Sequence, residues 1–195
     1  RIVGLYSLIL LAAVGATLMS HRSQAALPQP DLIQGTLWSI VIAAPIAAVA
    51  AFSLPMSIVD AVLKRIPVGA ATLRETVQAL RQYRSRPVHL LLSIALGLVI
   101  HTLLATTVWL VACGVSLPNP GWASHLMIVP LATTTGILPL PMAGLGAYEL
   151  VIDFLYRQLT PGSTVVAGTG VLVAFAYRLV ILAVAAVTGG GAILF

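Results

Sequence analysis

Runs of about twenty residues without a formal charge dominate this chain. Residues 2–20 (IVGLYSLILLAAVGATLMS), 35–55 (GTLWSIVIAAPIAAVAAFSLP) and 88–112 carry none at all. Each is as long as the apolar stretch a helix needs to cross a bilayer core. Residues 163–188 form a further run, interrupted only by Arg178. Charged residues are 8% of the chain, against about 25% in an ordinary soluble domain. A water-soluble globule of this size cannot be covered by so few charges. Cytosolic enzymes, disordered chains and nucleic-acid binders are excluded together. The net charge of +5 does not reopen nucleic acid, because most of it sits in one loop. The class that remains is an all-α, polytopic integral membrane helical bundle.

Other bulk features set narrower bounds. The one cysteine, Cys113, excludes an internal disulfide and a cysteine-cluster metal site. The chain opens on Arg1, so it reads as a single transmembrane domain, residues 1–195, whose preceding spans are missing. Residues 2–19 are too long for the apolar core of a signal peptide and lack a basic start.

The expected spans are residues 2–20, 35–55 with a kink at Pro45, 88–112, 123–139, 147–158 and 163–188. Between the second and third lies a loop, 56–87, of a different kind. It holds Lys64, Arg65, Arg74, Arg81, Arg84 and Arg86, six of the ten basic residues. Thr72 and Glu75 have the spacing of a capping box. Leu73, Val77 and Leu80 then share one helical face, with Gln78 and Gln82 turned away. This predicts a short amphipathic helix on the membrane surface that ends before Pro87. The positive-inside rule places the loop in the cytoplasm and the chain in the inner membrane as a multi-pass protein. Arg74, Arg81, Arg84 and Arg86 are the candidates for meeting anionic headgroups, at roughly 1 kcal/mol each. The loop CGVSLPNPGW (113–122) is uncharged, as suits the outside, and Trp122 is a candidate interface anchor.

After residue 122 the plain helical pattern fails. Pro130 and Gly136 interrupt residues 123–138. Pro139, Pro141, Gly144 and Gly146 then fall within eight residues, which no α-helix accommodates. The flanks stay apolar, and irregular backbone at membrane depth is tolerated only inside protein or beside a water-filled cavity. The segment therefore reads as broken or re-entrant, followed by a helix over 147–158 too short to span. Thr133, Thr134 and Thr135 suggest a polar path, although threonine in a membrane helix more often bonds its own backbone. Gly168 and Gly170 are placed to let helices approach closely.

Three charges lie in apolar context: Glu149, Asp153 and Arg178. Each costs about 2.5–3.5 kcal/mol at the bilayer centre if it faces lipid. Glu149 and Asp153 are four apart, hence on one helical face. Glu149 also sits in the first turn after the break, where the helix dipole favours an anion. Counted from residue 163, Arg178 lies about 15 residues deep, or roughly 22 Å at 1.5 Å per residue. The economical arrangement pairs Arg178 with Glu149, shared or not with Asp153. Two roles stay open: a structural ion pair and a transport site. His89 and His101 lie about 120° apart on one helix, so they do not form one metal face. A mid-membrane His101 is read as a neutral imidazole bonded to a neighbouring helix, or as a proton relay. No dinucleotide fingerprint, P-loop, nucleophile elbow or His-Glu-x-x-His motif is present. No catalytic residue, metal ligand set or cofactor is assigned.

Residues 139–149, PLPMAGLGAYE, resemble the Pro-x-x-x-Gly-Gly-Leu-Gly-x-x-Glu segment of the lysylphosphatidylglycerol synthase transmembrane (flippase) family. Ala143 stands in place of the first glycine, while Gly144, Leu145, Gly146 and Glu149 match. Tyr177-Arg178 matches the aromatic-Arg pair in the helix after the motif. Arg1-Ile2-Val3-Gly4-Leu5 resembles an Asp-Arg-x-x-Gly-Leu segment lacking its Asp, and Tyr83-Arg84-x-Arg86-Pro87 fits as well. The resemblance implies a lipid-binding or lipid-flipping module whose partners are membrane lipids, anionic or aminoacylated phospholipids among them. Together with the charge pattern, it gives a candidate substrate site at Glu149, Asp153, Arg178, Gly144 and Gly146. Aminoacyl transfer would belong to a separate soluble domain, so the chain is not read as an enzyme in itself. The alternatives are a membrane subunit of a lipid-linked glycosyl- or aminoacyl-transferase, or a structural membrane subunit without substrate. A homo-oligomer or a separate catalytic domain is compatible with either.

Overall fold

The computed structural model describes residues 2–22, 30–53, 87–135, 146–160 and 165–194, with Ser57, Ala61, Glu75 and Gln78 as isolated positions. Six helices account for nearly all of these residues, and no strand occurs among them. They are α1 (Ile2–Arg22), α2 (Pro30–Ser53), α3 (Pro87–Gly114), α4 (Trp122–Thr134), α5 (Ala147–Leu159) and α6 (Thr169–Leu194). Pro30 and Pro87 each occupy the first helical position, where the missing N–H costs nothing. Pro45 sits inside α2 and Pro130 inside α4, and neither ends its helix. At Pro130 the expected interruption does not occur: α4 continues to Thr134, with the proline buried. The segment 136–145, expected to be irregular, lies outside the described residues. So does most of the basic loop, of which Glu75 and Gln78 are helical and exposed.

Two helices are long and apolar enough to cross a membrane: Pro87–Gly114 and Thr169–Gly189. Val3–Met19 and Leu32–Ile46 are shorter apolar helical stretches. Their outer surfaces are those of a protein solvated by lipid. Leu91, Leu92, Leu96 and Leu103 on α3 are all more than half exposed, as are Phe175, Leu179 and Leu182 on α6. Apolar surface this extensive is not left facing water.

The core gathers around α1 and α4. Helix α1 packs against α2, α3 and α4, while α5 bridges α4 to α6 and α6 returns to α3. Small residues bring these axes close. A Cβ on Gly15 would lie 2.7 Å from the Met127 amide nitrogen on α4, and one on Gly97 would lie 2.5 Å from Ser7 Oγ on α1. Ser7 also donates to the Ile94 carbonyl on α3 at 3.4 Å. Helix α4 is enclosed along its length, with Ala123 through Pro130 all buried. Its apolar residues lie all round the helix because it has no face to present to solvent, and its polar side chains are hydrogen-bonded internally.

Helices α4 and α5 each have 13 residues, or roughly 20 Å at 1.5 Å per residue. That is about two-thirds of a hydrocarbon core of ~30 Å. They run antiparallel. His125, near the start of α4, accepts a 2.6 Å hydrogen bond from the Tyr156 hydroxyl, near the end of α5. The chain thus enters along α4 and returns along α5 to the same end of the bundle.

Candidate functional site

Helix α5 is amphipathic, and its buried face carries two acids among apolar side chains. Glu149, Ile152, Asp153, Tyr156 and Leu159 are buried, at the i, i+3, i+4 spacing of one face. Leu150 and Phe154 are 66% and 54% exposed. Arg157 and Gln158 near the end of the helix are exposed as well, so the exposed face is apolar only over its first two turns, while the two acids turn inward where charge is costly unless partnered.

Glu149 sits in the first turn of α5. Its Oε1 lies 2.6 Å from Arg178 Nε on α6. Its Oε2 accepts the Gly146 N–H at 2.8 Å, which is the carboxylate half of a capping box. Gly146 has φ +94, a backbone conformation that favours glycine, so the residue types on both sides of this contact are fixed by geometry. Helix α6 begins at Thr169, after Gly168 at φ +95, and not at residue 163. Arg178 therefore lies nine residues in, or roughly 14 Å along the axis. Its side chain leans toward the start of α6, as helical side chains do, which brings it up to Glu149.

Asp153, one turn farther along α5, does not share Arg178. Its Oδ1 accepts the N–H groups of Gly168 at 2.9 Å and Gly170 at 3.0 Å. Its Oδ2 lies 3.2 Å from Arg157 Nε. Asp153 thus caps α6 from another helix, satisfying two amides that the start of α6 leaves without intrahelical partners. Gly170 makes this possible: a Cβ there would lie 2.4 Å from Asp153 Cα. Gly168 plays a different part from the expected close packing. Nothing lies within 4 Å of its Cβ position, and its contribution is the positive φ.

Two tyrosines adjoin the paired charges in sequence: Tyr177 enters the sequence reading only as the aromatic half of the Tyr177-Arg178 match, and Tyr148 is not singled out there. Tyr148 lies within electrostatic range of Tyr177, Arg178 and Glu149. Each tyrosine directly precedes one of the paired charges, the signal by which Tyr148 could have been found. At the other end of the hairpin, His125 Nδ1 donates to the Gly121 carbonyl at 2.8 Å. This leaves Nε2 as the acceptor for Tyr156 and fixes the neutral tautomer. The rings meet edge to face at 5.4 Å. His125 and Tyr156 are 31 residues apart, and no local pattern announces the pair.

The hydroxyls of Thr133, Thr134 and Thr135 bond back to carbonyls of their own helix at 2.6–2.7 Å and line no path. His101 is expected from sequence to hydrogen-bond a neighbouring helix through its imidazole; its Nδ1 is buried without a hydrogen-bond partner. Gly144, Arg74, Arg81, Arg84 and Arg86 lie outside the described residues. Among the described residues, no three His, Cys, Asp or Glu side chains come together as a metal ligand set. Of the sequence-derived site residues, the structure brings Gly146, Glu149 and Arg178 into one contact and directs Asp153 to the start of α6.

Compared with known families, residues 1–189 match the one described as "Lysylphosphatidylglycerol synthase TM region". No curated protein and no solved structure matches the chain.

Proposed function

This chain belongs to the lysylphosphatidylglycerol synthase transmembrane-region family, and on that premise we propose that it binds, or moves between leaflets, a lipid with a polar headgroup, such as an aminoacylated phospholipid. The reading includes a multi-pass placement in the inner membrane, with the basic loop 56–87 in the cytoplasm. In that orientation the α4–α5 hairpin dips in from the outer face, and the Glu149–Arg178 pair lies at its mid-membrane tip.

The observation that carries the reading is an ion pair, roughly 14 Å from the start of the apolar helix α6, that is not sealed. Glu149 is largely covered, but the Arg178 side chain is 36% accessible. A purely structural pair would enclose both partners, because an accessible charge at this depth costs several kcal/mol in contact with lipid tails. An accessible guanidinium beside the tip of a half-helix instead suits a polar cavity. Transporters commonly build sites at such discontinuities. A headgroup drawn there exchanges its water for fixed protein donors and acceptors, which lowers the cost of carrying it through hydrocarbon. No bond is made or broken in this step, so the reading asks for no catalytic group.

The test is a leaflet-resolved lipid assay comparing wild type with Glu149→Gln, both shown to insert and remain monodisperse. Loss of lipid movement in the inserted variant is expected. Unchanged lipid sidedness would overturn the proposal.

A further inference from the structure

The two partners of the ion pair differ in what they have left to offer a ligand. Both Glu149 oxygens are engaged, one by Arg178 at 2.6 Å and one by the Gly146 amide at 2.8 Å. The Glu149 side chain is 12% accessible. A cationic headgroup arriving here would meet a carboxylate already neutralised and would have to displace Arg178 from it. Asp153 cannot substitute, because its oxygens are held by Gly168, Gly170 and Arg157.

Arg178 is in the opposite state. A guanidinium has five N–H donors, and Arg178 uses only Nε among the described residues. Its two amino groups remain, on the edge that matches two oxygens of one phosphate. Tyr148 and Tyr177 add two hydroxyls within electrostatic range of each other, with no hydrogen-bond partner among the described residues. Arg178 and Tyr148 thus bring unused donors to an acid whose acceptors are occupied.

From this we infer that the site recognises a phosphate-type anion through the Arg178 amino groups, and that Glu149 is a positioning residue and not a receptor for a cationic headgroup. The inference rests on the lipid-binding reading above and names the chemical group that reading requires. Phosphate reaches this depth as a lipid phosphodiester or as the free ion, and the chemistry of recognition is the same for both.

The full chain, purified and reconstituted in nanodiscs, tests it by native mass spectrometry. The probes are phosphatidylglycerol, a hexosyl-diacylglycerol with the same tails but no phosphate, lysylphosphatidylglycerol, and inorganic phosphate as competitor. Wild type is expected to retain phosphatidylglycerol at least about tenfold over the phosphate-free lipid, the scale of one charge-assisted bidentate contact. Arg178→Lys keeps the charge but loses the two-pronged geometry, and the preference should fall about tenfold. Tyr148→Phe leaves the ion pair intact and should lower it about threefold, which keeps the test open if the arginine variant misfolds. Glu149→Gln should weaken binding of all phosphate-bearing lipids alike and leave the ratio of lysylphosphatidylglycerol to phosphatidylglycerol unchanged. Inorganic phosphate that displaces the lipid from wild type but not from Arg178→Lys supports the same site and identifies the free ion as an alternative source.

Retention of lipids regardless of phosphate overturns this inference alone. So does a Glu149→Gln variant that selectively loses the lysyl lipid. Failure to retain any lipid overturns the lipid-binding reading along with it.

Discussion

Gly170→Ala tests the geometry that holds α5 against α6. A Cβ on Gly170 would lie 2.4 Å from Asp153 Cα, 2.5 Å from Asp153 N and 2.8 Å from Ile152 C, all backbone atoms. No side chain can rotate out of the way. Ordinary contact begins at 3.4 Å, so the helices must separate by about 1 Å. The same movement stretches the Gly170 N–H bond to Asp153 from 3.0 Å to about 4 Å, beyond hydrogen-bonding range. The Gly168 bond, at 2.9 Å, shares the carboxylate and lengthens with it. A bond to a charged acceptor contributes about 1.5–3 kcal/mol, and overpacking adds about 1–3 kcal/mol. The gain from replacing a helical glycine with alanine is only about 1 kcal/mol. The net expectation is a loss of roughly 1.5–5 kcal/mol.

The assay is an SDS titration of folded protein in mixed micelles, with Gly35→Ala as the matched control. Gly35 lies inside α2 with nothing within 4 Å of its Cβ position, so alanine there should stabilise by up to about 1 kcal/mol. If Gly170→Ala unfolds at the same SDS fraction as Gly35→Ala, α5 and α6 do not meet backbone to backbone at this point. The account of Asp153 as a cap would then fail too.

Other substitutions separate the remaining contacts. Tyr156→Phe leaves His125 Nε2 buried without its donor and should cost about 1–3 kcal/mol in the same titration; an unchanged midpoint would contradict the hydrogen bond. Glu149→Gln and Arg178→Gln should each destabilise, and the double variant should lose less than their sum by about 1–3 kcal/mol, because the surviving partner no longer carries an unpaired charge. Additive losses would mean the two do not interact. Gly168→Ala should cost about 1–3 kcal/mol through its positive φ alone, and Gly168→Asn should recover part of that; equal losses would point to a steric cause instead.

Much of this architecture can be read from residue order, for identifiable reasons. Uncharged runs of bilayer length mark apolar helices, because nothing else places so much leucine and valine beside lipid. The Glu149–Arg178 pair could be anticipated because each charge is too costly to leave alone at depth. Where it fails, the cause is nonlocal. The role of Asp153 depends on where α6 begins, and that start is set at Gly168 by a backbone conformation. The His125–Tyr156 bond depends on the chain returning to the end it entered by. Pro130 reads as a breaker because prolines usually are, yet α4 is enclosed by α1, α3 and α5, and packing of that extent outweighs one missing hydrogen bond.

The two carboxylates of α5 bear on how any ligand could be exchanged. Glu149 and Asp153 lie one turn apart, and each holds a separate point on α6: Arg178, and the amides at the start of the helix. Sliding α5 by one turn along α6, roughly 5.4 Å, would move Glu149 toward the place of Asp153. It would break both sets of contacts at once and strand a carboxylate and a guanidinium in low dielectric. Rotation of α5 about its own axis is no easier, because it would turn Leu150 and Phe154 inward and the acids out to lipid. The polar contacts of the two acids and the burial of their face thus resist the two simple motions together. The contacts of Glu149 and Asp153 fix the register of α5 on α6, and under the proposed phosphate reading a guanidinium held by Glu149 keeps one orientation toward the anion. That fixed orientation is what a charge-assisted bond needs in order to discriminate between headgroups.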